Sequence, residues 1–419
     1  MSQNTPIYTG YDAVSRLVEY CSDSPVQQYT LVSDTNTYRA LGEKLEDALK
    51  QAGLHVASIV LDGDEVIADE EYLMQVMIQA PPGEQVFIAV GSGTLTDIAR
   101  YVSFRTGNTF ISTPTAPSVD GFLSKGAPLV IRGVKDTHIT HGPRALFADL
   151  QTLIDAPPEL RAAGFGDVVG KITSLADWKL GQLLWDEPFD AEIERRVRRA
   201  MANCFESSDS IASGSENGIR TLFEGLIETG LCMLDLGNSR PASGSEHHCS
   251  HNWEMQLLAA GKPAILHGAK VGYATSLIAK LYEKIRSMTQ DDARQLTIAA
   301  RFAGHEPEIA EIRHAYGTGA DQVIAIQQPF LSMTEDQYHQ LQQRIIDNWP
   351  GIQAAADTVL PSSTIAELLD SVGAPTDWKT VGLEAEMIEP ALTYGHYLRN
   401  RFTVLKLCKM LGIDVRQVI

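Results

Sequence analysis

The sequence predicts an α/β nucleotide-binding region followed by an all-helical region. Three observations carry this. Strand-like and helix-like segments alternate through about the first 150 residues, a glycine turn follows an apolar run at Gly91, and long helical patterns take over from about Asp155. A chain of 419 residues is too long for one ordinary core, so two domains are expected, 1–155 and 156–419, divided at Asp155-Ala-Pro-Pro158.

Taken in order, residues 29–33 (YTLVS) read as the first strand, with Asp34 at its end and a helix to about residue 52. Residues 55–61 (HVASIVL) read as a second strand, and 65–79 as a helix closed by Pro81-Pro82-Gly83. Residues 85–90 (QVFIAV) form a short apolar run of the kind a buried strand shows, and 94–105 look helical. Residues 109–112 give another strand, with two further strand-like pieces at 128–132 and 137–141. Beyond residue 155, helical periodicity marks 190–205, 218–233, 252–260, 269–288 and 338–348. The cleft between the two predicted domains is the default ligand site.

Composition excludes several classes. A net charge of −19 is a poor match for nucleic acid or an anionic membrane surface, both of which demand clustered Lys and Arg. No run of apolar residues reaches the ~18–20 that a membrane span needs, and the first residues do not read as a signal peptide. The five cysteines are widely spaced without a CxxC, which points to a reducing, cytoplasmic setting.

Gly91-Ser92-Gly93-Thr94 follows an apolar strand and opens a helix, a geometry that lets backbone N–H groups meet a pyrophosphate. Thr94 and Asp97 have the spacing of a capping box. The turn lacks the third glycine of GxGxxG, and it follows the third strand-like segment, not the first.

The segment 243–254 (SGSEHHCSHNWE) holds His247, His248 and His251, and His267 follows on the next helical pattern, so four of the chain's 11 histidines are gathered there. His247 and His251 are four apart and share a helix face. Neutral imidazoles with one carboxylate make an open divalent-metal site, and Asp167, which follows a glycine-bearing turn within 162–166 at the start of the helical domain, is the best carboxylate. Cys249 is a competing thiolate, read here as packing.

These motifs in this order, GSGTLTDIARY at 91–101, TPTAPSVDG at 113–121, AAGFGDVVGKITSLADWKLG at 162–181 and EHHCSH with ILHG at 246–268, resemble the glycerol dehydrogenase, dehydroquinate synthase and iron-alcohol dehydrogenase superfamily. Within it the chain is similar to the sn-glycerol-1-phosphate dehydrogenases of bacterial AraM type. The resemblance implies a dehydroquinate synthase-like fold and reversible reduction of dihydroxyacetone phosphate to sn-glycerol 1-phosphate. It implies NAD contacts at Asp34, Gly91, Ser92, Gly93, Thr94, Thr115, Ser118 and Ser124, with Asp97 supporting its own helix start. An acid at Asp34 favours NAD over NADP. The resemblance also implies zinc, nickel or iron on Asp167, His247 and His267, with Asp120 and His251 facing the substrate. Lys171 and Lys125 are candidates for the phosphate, although lysines are mostly exposed. A homodimer is implied as well. Rival readings are a dehydrogenase of glycerol or another unphosphorylated polyol, a dehydroquinate synthase-like lyase, and a nucleotide-binding regulator without catalysis.

Overall fold

The computed structural model describes residues 5–63, 65–302 and 304–418. Among the described residues eight strands form, β1 Ile7–Gly10, β2 Gln28–Asp34, β3 His55–Leu61, β4 Val86–Val90, β5 Thr109–Thr113, β6 Gly126–Ile131, β7 Val134–Ile139 and β8 Ala145–Asp149. Six of them make one parallel sheet in the order β1-β8-β5-β4-β2-β3. Every residue of β4 and β8 is buried, as expected of parallel strands covered on both faces. One apolar cluster joins Leu31, Val86, Ile88 and Val90 to Leu17 and Leu45; another joins Phe87 and Ala89 to Ile98 and Val102. The alternation of neighbours along β4 between the two clusters is the period-2 signature of a strand.

The sequence reading finds β2, β3, β4 and β5 within a residue or two. It stops short of β1 and β8, which pair with each other in register from Ile7 with Leu146 to Gly10 with Asp149. It also places two strand-like pieces at 128–132 and 137–141 in the α/β region; these are β6 and β7, an antiparallel hairpin outside the parallel sheet.

The chain divides into two compact units. The first runs to Val168 and also includes Arg199–Ser239, so it takes in the helix Glu216–Leu236 as well as the sheet. Phe223 and Ile219 of that helix pack with Leu146, Phe122 and Leu153. The second, Val169–Arg198 with Arg240 onward, contains helices and no strand among its described residues. Its largest buried side chains include Trp178, Trp253 and Trp349, and Trp378 is half-buried. No helix among the described residues is long and apolar enough to cross a membrane.

Candidate functional site

In the first unit, β4 runs straight into Gly91, whose φ is +154°, and the helix Gly93–Arg105 begins two residues later. The N-cap is Ser92, without a side-chain capping bond, because its hydroxyl meets that of Ser118. The capping box expected from Thr94 and Asp97 is not formed. The helix starts at Gly93, so the position whose side chain reaches back to the N-cap is Leu95, and Asp97 lies too far along. Asp97 instead pairs with Nη1 of Arg100 at 2.6 Å. Arg100, fully buried, donates onward to the carbonyls of Gly121, Phe122 and Gly126 at 2.6, 3.1 and 2.7 Å. Asp97 thus steadies the segment that follows Asp120. Sequence reading missed Arg100, whose only signal was a cation on the buried face of its helix.

This cradle fits a dinucleotide pyrophosphate. Its helix N-terminus has no side-chain cap, a Cβ on Gly91 would sit 2.3 Å from Leu95 Cδ1, and two serine hydroxyls converge beside it. Thr115 and Ser118 are buried; Ser124 is half-buried and donates to the Gly126 carbonyl at 3.1 Å. Asp34 is half-buried at the end of β2, where its Oδ1 caps the following helix by accepting the Thr37 N–H at 2.8 Å.

Asp167 is fully buried in the helix Pro158–Val169. The expected glycine-bearing turn before it does not exist, because Gly164 and Gly166 lie inside that helix. Gly164 has a tertiary reason: a Cβ there would lie 1.8 Å from the Pro117 carbonyl oxygen. The TPTAPS segment therefore presses against the helix backbone, and the Asp120 N–H donates to Oδ2 of Asp167 at 3.0 Å. Gly230 grips the same place from the helix Glu216–Leu236, where a Cβ would lie 2.8 Å from the Asp120 carbonyl oxygen.

In the second unit, the helix Ser245–Ala259 carries His247 and His251, and the helix His267–Ser287 begins on His267 itself. The ring centroids of His247 and His267 are 5.1 Å apart, those of His251 and His267 5.9 Å, and those of His247 and His251 6.2 Å. His247 is buried and His267 half-buried, their rings side by side in this unit, and the expected carboxylate, Asp167, is the buried acid of the first unit. One carboxylate and two imidazoles are a donor set suited to zinc, iron or nickel. His251 is half-buried. His248 is only 1% exposed, with no hydrogen bond to either ring nitrogen, and burial pushes it well below its usual pKa. Cys249 is buried, with its thiol directed at the Ala391 carbonyl, 3.6 Å away. Lys171 is fully buried and donates to the Ala242 carbonyl at 3.2 Å, against the ordinary expectation for a lysine, whereas Lys125 is exposed.

Two acids that sequence reading left unassigned stand behind the histidines. Glu246 is fully buried: burial pushes its carboxyl up, and bonds from His247, Thr173 and the Gly244 N–H more than offset this, so it sits below the usual value. Burial, with the charge of Glu246, pushes Asp177 up to about 7.

A family model described as iron-containing alcohol dehydrogenase matches residues 8–157. The glycerol-1-phosphate dehydrogenase (NAD(P)+) of Halalkalibacterium halodurans is 40% identical over 399 residues, covering 94% of this chain and 90% of the relative. That of Bacillus subtilis is 38% identical over 404 residues, covering 96% and 90%. Among solved structures, glycerol dehydrogenase from Schizosaccharomyces pombe shares the fold with a TM-score of 0.63 at 16% identity, over 99% of this chain and 88% of that one. A parallel α/β region, a helical region and this donor set define a metal-dependent, nicotinamide-linked alcohol dehydrogenase. Within that class, the chain belongs to the glycerol-1-phosphate dehydrogenase (NAD(P)+) family.

Proposed function

We propose that this enzyme reversibly reduces dihydroxyacetone phosphate to sn-glycerol 1-phosphate with NADH, NADPH being the alternative cofactor. The observation that carries it is the pairing of His247 with His267, whose ring centroids lie 5.1 Å apart, and Asp167, whose carboxylate accepts the Asp120 N–H, is the proposed third ligand. When bound, a divalent metal supplies Lewis acidity toward the substrate oxygens, and the nicotinamide supplies the hydride.

The chain's own residues do the rest. Gly91, Ser92, Gly93 and Thr94 receive the pyrophosphate at the helix N-terminus, with Thr115, Ser118 and Ser124 on the loops beside it. Asp34 accepts from an adenosine ribose hydroxyl and disfavours a 2′-phosphate. Asp120 orients the substrate. His251 donates the proton that turns the reduced carbonyl into a hydroxyl and takes it back in the reverse direction. Lys171 is the preferred cation for the substrate phosphate, since a buried ammonium is not part of a solvated face. In this reading residues 1–155 serve the dinucleotide and 156–419 the metal and substrate, and the active form is a cytoplasmic homodimer.

The test is a steady-state NADH-oxidation assay with dihydroxyacetone phosphate against dihydroxyacetone, after chelation and restoration of zinc, nickel or iron, with chiral analysis of the product. The expected result is a clear preference in kcat/KM for the phosphate and sn-glycerol 1-phosphate as product. Equal efficiency with the unphosphorylated ketone returns the assignment to a polyol dehydrogenase. Net NADH consumption separates the enzyme from a lyase that regenerates its cofactor.

A further inference from the structure

Glu246 precedes His247 at the start of the helix Ser245–Ala259 and is shielded from solvent. A buried carboxylate is retained only where donors surround it. Glu246 has three. Its Oε1 accepts the Gly244 N–H at 2.6 Å and faces Nδ1 of His247 at 2.8 Å, while Oε2 accepts the Thr173 hydroxyl at 2.6 Å. Adjacent residues do not share a helix face. The contact exists because Glu246 curls back over the first turn to the Gly244 N–H. An ionised carboxylate can only accept, so the shared proton belongs to Nδ1 of His247. The lone pair of Nε2 is then the one His247 presents to a cation. The helix start itself is pinned, since the Ser245 N–H donates to Oδ2 of Asp177 at 2.7 Å.

We propose that Glu246 is a positioning residue of the metal centre, fixing the tautomer and ring plane of His247 and strengthening Nε2 as a donor to a divalent cation. This rests on the reading of Asp167, His247 and His267 as metal ligands. Carboxylates bonded to the far nitrogen of a ligating histidine orient it and raise its basicity.

The test uses the full chain freed of metal by chelation and titrated with zinc against a chromophoric chelator, then with cobalt followed by visible absorption. Three proteins are compared, wild type, Glu246→Gln and His247→Ala. Glutamine keeps the shape and an acceptor for His247 but removes the charge. Glu246→Gln is expected to bind zinc about 10–100-fold more weakly, with an altered cobalt spectrum and unchanged circular dichroism and melting of the metal-free protein. Wild-type zinc affinity and an unaltered cobalt spectrum in Glu246→Gln, beside metal loss in His247→Ala, overturn the role of Glu246 alone. Wild-type metal binding in His247→Ala overturns the ligand assignment and this inference with it. Should Glu246→Gln fail to fold, Thr173→Val takes its place, because it releases Oε2 without touching His247. A several-fold weaker zinc affinity is then expected, and unchanged affinity overturns the proposal.

Discussion

The phenol of Tyr282 donates to Oδ1 of Asp177 across 2.6 Å, inside the second unit. The same carboxylate accepts the N–H groups of Val404 and Ser245, each at 2.7 Å, so it ties three segments to the start of the His247 helix. Burial, and then the charge of Glu246, still pushes Asp177 up to about 7. Between an unfolded-state value of about 4 and that folded value, the native protein holds a proton the unfolded chain has lost. The stability this contributes is complete below about pH 4 and is lost as the pH rises through 7. Melting the metal-free protein and its Asp177→Asn variant from pH 5 to 8 checks this. Wild type is expected to lose up to a few kcal/mol relative to the variant across that range. A constant difference contradicts it.

Gly164→Ala tests the close approach that sets Asp120 beside Asp167. The added methyl would lie 1.8 Å from the Pro117 carbonyl oxygen, a backbone atom that cannot turn aside. Either the helix or the loop must shift, at a cost of roughly 1–3 kcal/mol or more. The loop carries Thr115, Ser118 and Asp120, so the expected result is a lower melting temperature together with a raised Kd for NADH and a raised KM for the ketone. A lower melting temperature with both binding parameters intact would place the loop outside the site.

How much of this was legible in the sequence depended on the range of the physics. β4 and the Gly91 turn were readable because an apolar run and a backbone need for glycine are local signals. The pairing of His247 with His251 followed from helical spacing alone. β1 and β8 were not readable, since four or five residues gain strand character only from a partner far along the chain. Gly164 and Gly166 suggested a turn because glycine usually marks one; the helix keeps Gly164 for Pro117, a tertiary contact with no local trace. Asp97 suggested a cap until Arg100, buried beside it, claimed the carboxylate. Glu246 and Asp177 lay within recognised motifs, yet their bonds run to Thr173, Val404 and Tyr282, which no spacing rule connects.

Asp34 separates cofactor choice from helix capping. Asparagine caps a helix about as well as aspartate, so Asp34→Asn keeps the bond from the Thr37 N–H and removes only the charge. The expected outcome is a melting temperature close to wild type and a ratio of kcat/KM for NADPH over NADH that rises by up to about tenfold, as repulsion of the 2′-phosphate is relieved. An unchanged ratio would remove Asp34 from the ribose site.

The histidines divide into two roles that metal content and turnover can tell apart. His247 and His267 are the proposed metal ligands and His251 the proposed proton donor, although its ring lies 5.9 Å from that of His267. His247→Ala and His267→Ala are therefore expected to lose metal and activity together. Asp167→Asn should also weaken metal binding while its side-chain carbonyl still accepts the Asp120 N–H, so the loop keeps its place. His251→Asn is expected to retain metal at the wild-type level while kcat falls by about 100-fold or more, the loss typical of a missing proton donor. Elemental analysis beside kinetics, on the same preparations, decides the matter. Metal lost from His251→Asn and kept in His267→Ala would exchange the two residues' roles, because a ligand must hold the cation whereas a proton donor needs only to reach the substrate.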